Sequence, residues 1–431
     1  MTIPDRPHGG HLDDWLAWLE TLSPREIELG LERVLEVKER LALPPPARVV
    51  HVAGTNGKGS CSALLEALFR ARGDTVGCYT SPHVLTYNER IRVNGVPADD
   101  AAIVAAFEAV EAVRAGVPLT YFEYGTLAAL VVFARAGVSV AVLEIGMGGR
   151  LDAVNAVEPD AGLITNVSLD HCEWLGPDVE TIAREKAGIM RAGKPLVFGS
   201  ASVPQAIATE AERLGADLRV AGRDFRYTRE EGDDPTWSWR GREAVIEGLP
   251  PPSLFGEVQL ANASAALAVM EAIGALAPDT VGAALRDVAL PGRFQRLEKH
   301  GRRFLLDVAH NPDAARVLAS LLDELGHPGP VLAIIGVLED KDARGVVRAL
   351  ASRIDRWIAV RPDSPRGTDP AALAALVADE CNRPCLVMDT PGDALEHAVR
   401  HSSADTLVLV TGSFYTVGPA LEWLHGDRTA G

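Results

Sequence analysis

The chain has 431 residues, 47% of them hydrophobic, and a formal net charge of −17. That length and apolar content suit a globular protein of two or three domains and argue against disorder. The acidic balance excludes a face built for nucleic acid or an anionic membrane, because those partners reward clustered Lys and Arg; an anionic substrate must instead meet a local positive site or a metal.

Five cysteines, Cys61, Cys78, Cys172, Cys381 and Cys385, are scattered without CxxC spacing. This argues against a disulfide framework or structural zinc and fits buried thiols in a reducing cytoplasm. The polar start and the lack of any span-length apolar run predict a soluble, unprocessed, cytoplasmic chain.

In chain order, the first informative stretch is Val49-Val50-His51-Val52-Ala53-Gly54-Thr55-Asn56-Gly57-Lys58-Gly59-Ser60. An apolar strand enters a glycine-rich turn and then a helix over 61–72, the context in which backbone N–H groups and a lysine converge on phosphate. It is a variant of the Walker pattern: Val52 stands where a glycine is required, and Gly59 separates Lys58 from Ser60. A glycine-rich turn with an exposed lysine is the plainer alternative. Thr80-Ser81-Pro82-His83 is a turn with a hydroxyl, open to metal ligation or to helix capping.

Further strands are expected at 75–79, 138–145, 161–167 and 196–199, alternating with amphipathic helices, which predicts a mostly parallel sheet covered on both faces. Glu144 ends an almost wholly apolar strand, where a charge needs a cation; a metal or Arg150 would serve. The glycines after it, Gly146, Gly148 and Gly149, would let backbone approach a ligand closely. Asp170 and His171 leave the next strand, and a histidine there is either a metal ligand or an ordinary loop residue. Lys186, in a helical stretch, reads on its own as a solvated surface lysine.

From 217 to 249, polar and apolar residues alternate around Trp237 and Trp239, suggesting a small antiparallel meander, and 259–273 returns to an alanine-rich helix. Turn residues in Leu290-Pro291-Gly292-Arg293-Phe294-Gln295 mark a domain boundary, giving domains 1–296 and 297–431. Strands expected at 304–309, 331–337, 357–360, 385–388 and 407–410 make the second a smaller doubly wound domain. Chemistry is expected where the domains meet. Asp307 lies inside an apolar strand with His310 at the following turn, and Asn311 is open to a helix-capping role.

With these residues in hand, the chain resembles the folylpolyglutamate synthase/dihydrofolate synthase family of the Mur ligase superfamily. The resemblance runs from Trp15 to Gly418 and adds Phe122-Glu123-Tyr124, Arg184-Glu185-Lys186-Ala187-Gly188 and Gly412-Ser413-Phe414 to the motifs above. It implies an α/β fold: an N-terminal P-loop ATPase domain carrying the meander, and a smaller Rossmann-like C-terminal domain that binds glutamate. The implied reaction is ATP-driven amide formation through an acyl phosphate. ADP and phosphate are released as L-glutamate joins dihydropteroate, or the γ-carboxylate of tetrahydrofolate and its polyglutamates.

By the same resemblance, Asn56, Gly57, Lys58, Gly59 and Ser60 contact ATP, as do Asn262, Arg293 and Asp307. Ser81, Glu144 and His171 would hold Mg²⁺, a pair of ions being expected, and Lys186 would carry an N-carbamate. Catalytic roles fall to Lys58, Glu144, His171 and Lys186. His310 and Ser413 would receive glutamate; Glu26, Ile27, Glu28, Thr120, Phe122, Leu151, Asp152 and Ala153 would bind the folate or dihydropteroate. A monomer with no nucleic-acid or membrane partner is expected. The competing readings are a synthase limited to polyglutamylation, a ligase for nucleotide-linked muramic acid, and a non-catalytic module that senses ATP.

Overall fold

In the computed structural model, the described residues are 7, 10–22, 28–230 and 235–426. Their contacts form two compact units. The first holds residues up to His83 with Tyr87–Ser253 and Leu260–Val288. The second holds Val84–Thr86, Leu254–Gln259 and the chain from Ala289, ahead of the boundary expected after residue 296.

The first unit is built on eight strands: β1 (Arg48–Ala53), β2 (Val76–Tyr79), β3 (Ile91–Val93), β4 (Val96–Pro97), β5 (Val140–Glu144), β6 (Ala161–Ile164), β7 (Pro195–Phe198) and β8 (Asp217–Val220). Their order is β4-β3-β2-β5-β1-β6-β7-β8. The six strands from β2 to β8 in that order run parallel, while β3 and β4 pair antiparallel at one edge. Buried on both faces, the central strands carry near-continuous apolar runs, and β5 is buried at every position.

Residues 217–220 correct one expectation: they pair parallel with β7 and complete the main sheet. The antiparallel meander is confined to β9 (Arg226–Arg229), β10 (Trp237–Arg240) and β11 (Val245–Leu249). Trp237 and Trp239 are buried there, their indole N–H groups donating to the carbonyls of Pro250 and Ser264.

In the second unit, β12 (Gln295–Lys299), β13 (Arg302–Asp307), β14 (Val331–Ile335), β15 (Arg356–Ala359), β16 (Cys385–Val387) and β17 (Leu407–Thr411) form one sheet in the order β12-β13-β17-β14-β15-β16. Leu305, Ala333, Ile335 and Leu409 pack into a core on one face. Phe304, Leu306, Ile334 and Val410 pack into another on the opposite face. Strand alternation thus buries both sides. Only β12 is antiparallel, an edge strand with no apolar run to announce it.

Register in the first sheet sets up the chemistry. Val52 of β1 lies level with Glu144 of β5, Tyr79 of β2 with Leu143, and Ala53 with Ile164 of β6. Parallel strands share one polarity, so Gly54, Thr80, Ile145 and Thr165 all leave the sheet at its carboxyl edge, where ligands of such sheets gather.

Candidate active site

Gly54 and Gly57 make the turn after β1 possible, with φ of +143° and +85°. The helix Lys58–Ala71 begins at once, and its first turn presents the N–H groups of Lys58, Gly59 and Ser60, which lack intrahelical partners, together with the positive end of the helix dipole. Lys58 Nζ folds back over the turn and donates to the carbonyls of Gly54 and Thr55 at 3.1 and 3.3 Å. Asn262 reaches the same turn: a Cβ on Gly57 would lie 3.1 Å from its Oδ1, and the Cys61 thiol lies 3.6 Å from that oxygen.

Glu144 is 3% exposed at the end of β5. Arg150, its alternative partner in the sequence reading, directs Nε and Nη2 to Glu185 Oε1 at 3.2 and 2.9 Å. The glycines that follow Glu144 are packed closely against protein. A Cβ on Gly146 would strike the Phe122 ring, one on Gly148 the Leu175 side chain, and one on Gly149 the carbonyls of Glu185 and Lys186. The turn is pressed onto the last turn of the helix Val179–Ala187, where Arg150 N donates to Glu185 O at 2.9 Å.

That packing buries Lys186 to 4% exposure, contrary to the surface position its sequence suggests. Burial, and then the nearby Lys58 charge, pull its amine down to about 7 against the opposing pull of Asp170 and Asp152. Burial likewise lifts the Asp152 carboxyl to about 7, although the N–H groups of Met147, Val154 and Gly146 and the Lys58 charge hold it down. His171 takes a left-handed conformation, φ +50°, at the start of the short helix Cys172–Leu175.

Among the described residues, no three His, Cys, Asp or Glu side chains gather into a metal cage. A set of one hydroxyl, one carboxylate and one imidazole leaves coordination sites for water and phosphate oxygens, which suits Mg²⁺. Ser81 lies two residues past the end of β2, whose register with β5 brings that strand end and the Glu144 end to the same edge of the sheet.

Glu26 and Ile27 lie outside the described residues, but the segment that follows them is tied to the other residues expected to bind folate. Gly30 N donates to Leu151 O at 3.2 Å. Arg33 pairs with Glu28 at 2.9 Å and with the 3%-exposed Glu123 at 3.0 Å, and Glu123 forms a capping box with Thr120. Asp152 caps the turn Ala153–Ala156, accepting from Val154 N at 3.0 Å and from Met147 N at 2.8 Å. Phe122 stands 6.0 Å from the Tyr79 ring. Arg33, which sequence reasoning left without a role, is the residue that joins Glu28 to Glu123.

The remaining candidates cluster within the second unit. Asp307 ends β13 and accepts from Phe294 N and Ala309 N, both at 2.9 Å; burial raises its carboxyl while Arg293 opposes the rise. Arg293 stacks its guanidinium over Phe414 at 5.2 Å, and the His310 ring lies 6.0 Å from the same phenyl group. Ser413 bonds Thr416 at 2.7 Å between hydroxyls. Asn311 is the N-cap of the helix Pro312–Leu325, accepting from Ala314 N, so the capping role is the one it fills.

Two domain families match: Mur ligase middle domain over residues 52–270, and Mur ligase, glutamate ligase domain over 292–414. A dihydrofolate synthase/folylpolyglutamate synthase from Escherichia coli (strain K12) is 40% identical over 97% of each chain. The chain belongs to this family of Mur ligases.

The structure of E. coli FolC in complex with DHPP and ADP is similar at a TM-score of 0.91 and 40% identity, over 97% of this chain and 99% of that one. A bifunctional folylpolyglutamate synthase/dihydrofolate synthase with Mn, AMPPNP and L-glutamate bound matches at 0.89 and 40%, over 98% of this chain and 100% of that one. This Mur ligase is therefore an ATP-dependent amide-bond-forming enzyme. None of its described helices is long and apolar enough to cross a membrane.

Proposed function

We propose that this Mur ligase joins L-glutamate to dihydropteroate and to the γ-carboxylate of tetrahydrofolate. The observation that supports the reading is the register of β2, β5 and β1, whose ends, from which Ser81, Glu144 and the phosphate loop follow, lie at one edge of the sheet. ATP gives its γ-phosphoryl group to the substrate carboxylate, the glutamate amine attacks the acyl phosphate, and inorganic phosphate leaves. Two anions must meet in the first step, so charge neutralisation and alignment dominate its barrier. Lys58 and the N–H groups of Gly57, Gly59 and Ser60 hold the phosphates, with Asn56 and Asn262 beside them; Arg293 and Asp307 would be further nucleotide contacts.

Ser81, Glu144 and His171 would hold Mg²⁺, which supplies Lewis-acid charge neutralisation when bound. Lys186 would carry a carbamate. Its burial supports this, because CO₂ adds only to a neutral amine and an amine brought down to about 7 is neutral in useful amount near physiological pH. His310 and Ser413 receive glutamate, while Glu28, Thr120, Phe122, Leu151, Asp152 and Ala153 frame the pterin. The ties from Gly30 to Leu151 and from Arg33 to Glu123 favour dual activity over polyglutamylation alone, because they hold the Glu28 segment against that group.

One assay tests the whole reading: ADP release with dihydropteroate or tetrahydrofolate, each with and without L-glutamate. Glutamate-dependent turnover with both acceptors is expected. Turnover with tetrahydrofolate alone removes the dihydrofolate synthase half, and turnover only with a muramic-acid nucleotide removes both.

A further inference from the structure

The turn that follows β6 holds the phosphate loop along its length. Asn166 grips the backbone of one residue at both ends: its Oδ1 accepts from Asn56 N at 3.1 Å, and its Nδ2 donates to Asn56 O at 3.0 Å. The Thr165 hydroxyl donates to the same carbonyl at 2.6 Å. Next door, Ser168 N donates to Thr55 Oγ1 at 3.0 Å, and that hydroxyl donates to Ser168 O at 3.2 Å. Backbone bonds from Thr55 N to Asn166 O and from Thr165 N to Ala53 O, at 3.0 and 2.9 Å, close the seam. Gly54 is shaped to it, since a Cβ there would stand 1.8 Å from Thr165 Oγ1.

A loop with glycines at both ends has many conformations open to it, and each must be excluded before its N–H groups can converge on phosphate. We propose that Asn166 is a positioning residue: it fixes the phosphate loop in its binding conformation before nucleotide arrives, with Thr165 as its assistant. The Asn56 N–H is engaged by Asn166, which leaves phosphate recognition to the N–H groups of the helix's first turn. The clamping turn runs on from Ser168 to His171, so the loop and that histidine are carried on one fixed element. This inference rests on reading the loop as the ATP site.

The test compares the parent chain with Asn166→Ala, Thr165→Val and Thr165→Ser. It measures calorimetric ADP affinity, KM for ATP, KM for dihydropteroate, and the thermal midpoint. Asn166→Ala is expected to weaken ADP and raise KM for ATP about tenfold, the effect of two lost hydrogen bonds. KM for dihydropteroate stays in place. Thr165→Val keeps the shape and loses one donor, so it weakens ADP by a smaller factor, and Thr165→Ser recovers the loss. If Asn166→Ala and Thr165→Val bind ADP as tightly as the parent, the positioning role is overturned. It is also overturned if ADP and dihydropteroate weaken together as the thermal midpoint falls, because that is general loosening of the fold. A parent chain that binds no ADP would instead overturn the functional reading itself.

Discussion

Lys58 and Lys186 are close enough for their charges to repel. Burial acts most strongly on Lys186 and Lys58 comes next, and together they leave its amine at about 7. The neutral fraction grows as pH rises through that value, so carbamate formation and turnover should climb together between about pH 6 and 8. A ¹³C carbonyl signal from labelled bicarbonate reports the modification. Lys58→Met removes the repelling charge, so the amine titrates higher and the signal should need a higher pH to appear. A window that stays put or moves lower would contradict the electrostatic account.

Glu144→Gln keeps the shape of the strand end and removes its charge. Turnover should fall about 10²- to 10³-fold, the scale for losing one preorganised electrostatic contact to a transition state. Mn²⁺ affinity in the presence of AMPPNP, followed by electron paramagnetic resonance, should weaken in parallel. Unchanged metal affinity would remove Glu144 from the metal site.

Glu28→Ala should separate the two activities. Glu28 is held by Arg33, both by its side chain at 2.9 Å and by its carbonyl at 2.8 Å. Losing a charged contact to the pterin should lower kcat/KM for dihydropteroate about tenfold, with tetrahydrofolate little affected. An equal loss with both acceptors would mean that the segment serves the fold rather than a second substrate.

The stability of the phosphate-loop helix can be tested apart from catalysis. Glu66 on that helix is fixed by Arg92 of β3, whose Nε and Nη2 reach Oε2 at 3.0 and 2.8 Å, and by Gly95 N, which donates to Oε1 at 2.9 Å. Arg92→Met alone strands a buried carboxylate and should cost about 3–5 kcal/mol in urea unfolding. The double variant Glu66→Met/Arg92→Met should recover much of that loss, since paired burial gains little over a well-packed apolar pair.

What could be read from the sequence divides along physical lines. Central parallel strands announce themselves because burial on both faces leaves them apolar, whereas β3, β4 and β12 are short or polar strands at or next to a sheet edge and carry no such run. The phosphate loop is legible because a strand, glycines, a lysine and a helix are contiguous. Lys186 is not, because its burial comes from the Gly149 turn, far away in the chain. The glycines of that turn are visible in the sequence, but the bodies they make room for, Phe122, Leu175 and a helix end, appear only once the fold brings them together. Asn166 escapes notice for the same reason: its partners are backbone groups, which have no sequence signature.

The common direction of the parallel strands also has a bearing on the opposite rim of the sheet. Gly73, Gly137 and Gly193 stand just ahead of β2, β5 and β7, and each has open space where a side chain would begin. These entry turns lie a full strand length from the phosphate loop, on ground with no catalytic duty. A fluorescent reporter or affinity handle spliced in at such a turn would ride as a passenger, leaving both couplings of glutamate to run at their native pace.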